Sequence, residues 1–361
     1  MSLFKTKPSI LDIAPYVPGE SKASDMGKLV KLSSNEGPLG PSPATIKAIQ
    51  DAASEVHRYP DGDASELRQI LAEKNNINAK NIICGAGSDE IISLLCYAFA
   101  GEGEEVLHSE HGFLMYPISA KAAGATPVTA PEKNYTADPQ ALLDAITDKT
   151  RLIFVANPNN PTGTHWNKQT VLDFHAQVPE NVIVVLDSAY CEYVTDPDYM
   201  NGHELVEKHP NIVVTRTFSK LYGLGGLRLG WGHACDDIID ILNRVRGPFN
   251  VTSLAQIAGV ASMKDEIFIQ SCIDNNTKMR DWTSEQLEAL GLKVVPSQGN
   301  FVIVDFGDAE KAERCRLFLK DRNILVRQIG GYGLPTFLRI SIGLEEEMAL
   351  AIDAISDYLK S

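Results

Sequence analysis

Between residues 81 and 217, short apolar runs rich in β-branched residues alternate with longer amphipathic ones. NIICG, EEVLHSE, ATPVTAP, RLIFVAN, NVIVVLD and NIVVTRT predict strands, and SDEIISLLCYAFA, MYPISAKAAG, DPQALLDAIT and KQTVLDFHAQV predict the helices between them. Strands of this kind separated by helices are the pattern of a parallel sheet covered on both faces. Upstream, Ser42-Pro43 places a cap residue before a proline at the first helical position, which predicts a helix to about Val56. Asp63 to Glu66 reads as a capping box ahead of a second helix, LRQILAEKN. Residues 1–35 hold many Pro, Gly, Ser and Lys with little periodicity, and predict an extended arm with short ordered pieces.

After Gly247-Pro248 the pattern changes. Residues 253–290 read as one long helix. LKVVPS, NFVIVDF, the helical AEKAERCRLFLKDR, ILVRQ, FLRISIG and the helical EEEMALAIDAISDYLK follow. Helices and strands without strict alternation suggest a smaller α+β unit. The expected organisation is an arm over 1–35, a large α/β domain over 36–250 and a small α+β domain over 251–361, with the helical stretch after residue 250 bridging the two.

Composition narrows the partners. A chain of 361 residues is too long for one compact core. A net charge of -14 disfavours nucleic acid and anionic membrane. The longest apolar run, Ile91 to Ala100, is too short to span a bilayer, and the N-terminal residues lack the apolar stretch of a signal peptide. Six cysteines with no CxxC pair read as reduced thiols of a cytoplasmic protein. The eight histidines show no HExxH or similar spacing, so no metal is expected.

In an open parallel sheet, ligands bind beyond the carboxyl ends of the strands. There the chain places Ala86-Gly87-Ser88-Asp89, then Asn157-Pro158-Asn159-Asn160-Pro161-Thr162-Gly163, then Asp187 with Tyr190, then Thr217-Phe218-Ser219-Lys220. Each alone also suits plain structure: a helix start, a rigid turn, a solvated strand end, a surface lysine. Together on one sheet they suit a phosphorylated, polar ligand that contains a ring. Helix-start N–H groups, a hydroxyl and an arginine suit a phosphate. Arg228, eight positions after Lys220 among glycines, is the candidate arginine. A buried lysine near other cations loses its proton easily and attacks aldehydes.

The ordered set GSDE, NPNNPTG, LDSAY, TFSK and GLRLGW resembles the fold-type I aminotransferases. IAPYVPG (13–19), KLSSNEGPLGPSP (31–43), HRYPDG (57–62), RGPFNV (246–251), GNFVIVDF, ILVRQ and LRISIG resemble the histidinol-phosphate aminotransferases among them. The resemblance covers essentially the whole chain. It implies pyridoxal 5'-phosphate as cofactor and transfer of the amino group of histidinol phosphate to 2-oxoglutarate, a step of histidine biosynthesis.

The resemblance also implies roles. Lys220 would bond to the cofactor's aldehyde and shuttle a proton, Asp187 would pair with the ring nitrogen, and Asn160 and Tyr190 would contact the ring hydroxyl. The backbone of Ser88 and Asp89, with Ser219 and Arg228, would hold the phosphate, Thr217 would also contact the cofactor, and Phe113 would stack on the ring. Tyr59 would reach the phosphate of a second subunit, which makes the site a property of a homodimer. Arg339, assisted by Arg327, would bind the substrate's acidic group, with Asn35, Asn160 and the arm residue Tyr16 also contacting substrate. Two positions depart from the family: Ser188 stands where a Glu is usual, and Gly37 where an Asn is usual. The rival readings are an aromatic amino-acid aminotransferase and a threonine-phosphate-type decarboxylase. A cofactor-binding regulatory domain is disfavoured by the acidic charge and by the short stretch before the first helix.

Overall fold

The computed structural model describes residues 5–16, 19–21 and 28–361. Its strands are β1 Val30–Leu32, β2 Ile82–Gly85, β3 Glu105–Ser109, β4 Thr126–Ala130, β5 Glu132–Lys133, β6 Thr136–Ala137 and β7 Thr150–Ala156. There follow β8 Ile183–Asp187, β9 Ile212–Thr217, β10 Gly230–His233, β11 Lys293–Val295, β12 Phe301–Asp305, β13 Ile324–Ile329 and β14 Leu334–Ser341. Seven of them form one sheet in the order β2-β10-β9-β8-β7-β3-β4, parallel throughout except for β10, which runs antiparallel to both neighbours.

Helices cover both faces of this sheet, and the alternation of its strands shows how. Leu152, Phe154, Val185 and Val213 pack on one side with Ile91, Ile92 and Leu95 of the helix Ser88–Phe99, Ala120 of Met115–Ala123, and Leu242 of Asp236–Val245. Ile153, Val155, Val184, Leu186 and Val214 pack on the other with Leu142 of Pro139–Asp144, Val171 and Phe174 of Lys168–His175, and Leu205 of His203–Val206. All six residues of β9 are buried, as expected of a central strand covered on both faces.

The strand β10 is absent from the sequence expectation. Gly-Trp-Gly-His has two glycines and no clean alternation, so its strand signal is weak. The glycine at 230 has a steric purpose, because a Cβ there would lie 2.2 Å from the backbone nitrogen of Ser88. Only glycine lets β10 run beside the turn that opens the helix Ser88–Phe99.

A second sheet has the order β1-β13-β14-β12-β11. Its edge strand β1, from the stretch read as an arm, pairs parallel with β13, while the other pairings are antiparallel. Val302, Val304, Leu338 and Ile340 bury one face against Leu319 of the helix Ala309–Lys320 and Met348 and Ile355 of Glu345–Lys360. The stretch expected as one helix over 253–290 is two, Ser253–Lys264 and Glu266–Ala289. Asp265 breaks between them and caps the second by accepting the N–H of Phe268. The first packs Ala255 and Ala258 onto Leu67 and Leu71 beside the large sheet. The second sends Met279 and Leu287 into the core of the small one, so this region does join the two cores.

The helix Pro43–Ala52 starts as read, with the Ser42 hydroxyl accepting the N–H of Thr45. The capping box at Asp63–Glu66 is corrected. Asp61 does that work, accepting the N–H groups of Asp63 at 3.0 Å and Ser65 at 2.7 Å. Ala64 takes a left-handed conformation to open the helix Ser65–Asn75, and Asp63 turns outward to pair with Arg68. The consequence is measurable by urea unfolding. Asp61→Ala is expected to cost about 1 kcal/mol, and Asp63→Ala, an exposed ion-pair partner, under about 0.5 kcal/mol. Equal losses would return the cap to Asp63.

Candidate active site

The carboxyl ends of β2, β7, β8 and β9 open into a cavity of about 260 Å³ between the two sheets. Every residue given a cofactor or substrate role in the sequence lines it except Tyr59: Ser88, Asp89, Phe113, Asn160 and Asp187 are joined there by Tyr190, Thr217, Ser219, Lys220 and Arg228, and by Tyr16, Asn35, Arg327 and Arg339. Ser188, the departure beside Asp187, is buried outside the cavity, its N–H donated to the carbonyl of Thr215 at 2.9 Å. Gly37, the second departure, is a close-approach position, since a Cβ there would come 2.7 Å from the carbonyl oxygen of Lys220.

The Lys220 amine sits 5.6 Å from the centre of the Tyr190 ring. Burial lowers its pKa from an ordinary 10.5 to about 8, and the Arg339 cation pushes the same way against the Asp89 carboxylate. Asp187, at the end of β8, shifts oppositely: burial raises its carboxyl above the usual carboxylate range. Two hydroxyls oppose that shift. Tyr116 donates to Oδ2 at 2.7 Å and Thr215 to Oδ1 at 3.1 Å.

The sequence reading passed over both. Thr215 lies two residues before Thr217, on the same strand. Tyr116 lies in the first turn of the helix after Phe113; it stacks on Phe154 at 4.5 Å and meets Phe113 edge-on at 5.8 Å. The only signal for Tyr116 was a polar-tipped aromatic in an apolar first turn, which reads as core.

On the opposite wall, Arg228 reaches the Ser219 hydroxyl and the Asp89 carboxylate, each at 3.1 Å. The Ser219 N–H is held by the Thr217 hydroxyl at 3.1 Å. These groups surround the N-terminus of the helix Ser88–Phe99, whose free N–H groups favour an anion. An arginine, two serine hydroxyls and a helix start form a donor set that fits a phosphate. An acid of raised pKa, a lysine of lowered pKa and the aromatic Phe113 fit an electron-poor ring that carries an aldehyde.

The small sheet supplies the third wall. Arg327 on β13 lies directly across from Arg339 on β14. The Arg339 guanidinium donates to Asn160 Oδ1 at 2.6 Å and to the Ser33 carbonyl at 3.2 Å, while its buried Nε has no partner. Asn35, at φ +54°, donates its N–H to the Ser341 hydroxyl at 2.7 Å and its side-chain amide to the Tyr190 hydroxyl at 3.0 Å. Ser341 and Asn300, which donates to the Asn35 carbonyl at 3.0 Å, were also missed. Both are ordinary polar residues whose importance comes only from holding Asn35, which alone of the three reaches across to the large sheet at Tyr190.

Tyr16 stands half exposed at the cavity mouth. Tyr59 lies outside the cavity, 83% exposed and stacked on Phe249 at 4.7 Å. Among the described residues no cluster of three or more His, Cys, Asp or Glu is placed to hold a metal ion, and no helix is long and apolar enough to cross a membrane.

The family model for aminotransferase class I and II matches residues 27–355. A curated histidinol-phosphate aminotransferase of Rhodospirillum centenum is 50% identical over 354 residues, spanning 98% of both chains. One of Dinoroseobacter shibae is 48% identical over 358 residues, spanning 99% of both. Among solved structures, the histidinol-phosphate aminotransferase from Sinorhizobium meliloti in complex with pyridoxal-5'-phosphate superposes with a TM-score of 0.92 at 28% identity, covering 99% of this chain and 98% of that one.

The electrostatics of the cavity predict how Lys220 titrates. Below about pH 8 its amine is protonated and inert, and above it the amine is neutral and nucleophilic. In protein freed of any cofactor, labelling of Lys220 by an amine-selective reagent, followed by peptide mass, is expected to rise with a midpoint near pH 8. A midpoint at the ordinary 10.5 would refute the shift.

Proposed function

Because the chain belongs to the class I and II aminotransferases, we propose that it transfers the amino group of L-histidinol phosphate to 2-oxoglutarate, giving imidazole-acetol phosphate and L-glutamate, with pyridoxal 5'-phosphate as its cofactor. The observation that carries this reading is a lysine of lowered pKa and two arginines facing one cavity. The names of relatives about half identical over nearly their full length support the substrate. The reaction serves histidine biosynthesis, and six unpaired thiols fit a reducing cytoplasm.

When bound, the cofactor supplies an aldehyde and an electron-accepting ring that hold the amino group between two half-reactions. Ser88, Asp89, Thr217, Ser219 and Arg228 would hold its phosphate, Asp187 its protonated ring nitrogen, Asn160 and Tyr190 its ring oxygen, Phe113 its face and Lys220 its aldehyde. Pairing with a cation would lower the raised pKa of Asp187, and Tyr116 and Thr215 orient its two oxygens. The Lys220 amine takes the proton from the substrate's Cα and later returns one, work for which a pKa of about 8 is well matched. Arg339 and Arg327 receive the acidic end of either substrate, since one planar fork serves phosphate and carboxylate alike. Asn35 and Tyr16 border the same space.

The working unit is a homodimer. Val56, Tyr59 and Phe249 expose apolar surface around a hollow that shares Arg228 with the cavity. A second copy seated there would bring the Tyr59 hydroxyl to its partner's phosphate site. Neither Tyr59→Phe nor Lys220→Ala protein alone is then expected to be fully active, and mixing the two should restore activity through hybrid dimers. No recovery in subunit-exchanged mixtures would count against a shared site.

Substrate identity rests on a direct comparison. With 2-oxoglutarate as acceptor, kcat/KM for histidinol phosphate is expected to exceed that for phenylalanine or tyrosine by at least about 10², on the order of the 2.7 kcal/mol that a charged hydrogen-bonded group contributes. A preference for the aromatic amino acids would replace this reading with the rival one.

A further inference from the structure

The loop between β3 and the helix Met115–Ala123 carries a buried histidine that the chemistry above does not use. His111 is 8% exposed, and its ring Nδ1 lies 2.7 Å from the carbonyl oxygen of Tyr332. A carbonyl can only accept, so this nitrogen bears the hydrogen and donates it. Tyr332 ends the 3₁₀ turn Gly330–Tyr332, which joins β13 to β14 and thus Arg327 to Arg339. The His111 backbone is fixed from the large-sheet side. Its N–H donates to Glu132 Oε1 at 3.1 Å, and its carbonyl accepts from the Asn159 amide at 3.2 Å, next to Asn160. Phe113 follows two residues later on the same loop. Leu114 then packs into the apolar cluster of Tyr332, Leu334 and Phe337.

Three parts of the cavity therefore meet at one residue: the loop bearing Phe113, the turn bearing Asn160 and the hairpin bearing both arginines. The contact between Leu114 and the hairpin is apolar and tolerates sliding. A hydrogen bond weakens steeply once it is misaligned, so it fixes register where an apolar contact does not. We propose that His111 is a positioning residue, whose bond to the Tyr332 carbonyl sets the distance of Arg327 and Arg339 from Lys220. The inference rests on the reading that these arginines bind the substrates' acidic groups.

The test compares His111→Ala with His111→Asn in the holoenzyme. The Asn amide nitrogen can stand where Nδ1 stands and donate in its place. His111→Ala is expected to raise KM for both histidinol phosphate and 2-oxoglutarate roughly fivefold to tenfold, with kcat changed by less than about twofold, and His111→Asn to bring KM back towards the parent. Calorimetric titration with glutarate, an unreactive dicarboxylate, should show the same loss and recovery of affinity in cofactor-free protein. If His111→Ala does not fold, His111→Leu keeps the volume without the donor and takes its place. Unchanged KM and glutarate affinity in the donor-less variant, or equal losses in it and His111→Asn, would overturn the proposal. Arg339→Lys serves as the control: if it leaves glutarate binding intact, the acid-binding reading itself has failed. If it weakens binding while the loss of His111 does not, only the positioning role has failed.

Discussion

Lys220 and Arg339 share one cavity, and among the described residues neither has a carboxylate partner within ion-pair distance. Burying an unpaired charge costs several kcal/mol, and the protein meets that cost differently for each. Lysine can give up its proton, and its lowered pKa records that it does so readily. A guanidinium cannot, so Arg339 takes oxygens from Asn160 and Ser33 and leaves its Nε without a partner. Around Arg339 the charge is thus met by neutral oxygens alone, and an anionic ligand relieves that deficit when it binds. The positions of Asn160, Asn35 and the β13–β14 hairpin all follow from holding that arginine in place.

The large sheet supplies fixed points, and the small sheet supplies what must be aimed. Asp187, Thr215 and Lys220 stand at or just beyond the ends of strands packed on both faces, where few motions are available. Arg327 and Arg339 belong to a hairpin on a separate core, tied across by the Asn35–Tyr190 and Arg339–Asn160 bonds. Polar contacts between separately packed units give direction, which apolar packing alone does not.

The strands and most helices of the large sheet were legible because apolar periodicity is a local signal, and the polar residues at their ends could be read straight from position. Lys220, Asp187, Asn160 and Arg228 were found in this way, with the family resemblance adding their roles. What was illegible was non-local or atypical. β10 is half glycine, the capping of Ser65–Asn75 comes from a residue four positions upstream, and the break at Asp265 is a single residue inside a helical pattern. Tyr116 looked like core, and core it is, except for one hydroxyl. Ser341 and Asn300 carried no signal, since their partner lies at the other end of the chain.

The edge strand β1 pairs with β13, Val30 lying opposite Ile324, so that the two partners leave the ribosome far apart in time. Val30–Leu32 has no neighbour in its sheet until β13 has been made. For that whole interval it is an unpaired β-edge, the kind of segment that recruits the wrong partner. The strand is only three residues long and carries Lys31 at its centre, both of which are known ways of keeping such an edge harmless. Pairing of β1 therefore waits for β13, and losing β13 would leave Val30–Leu32 without its place as well.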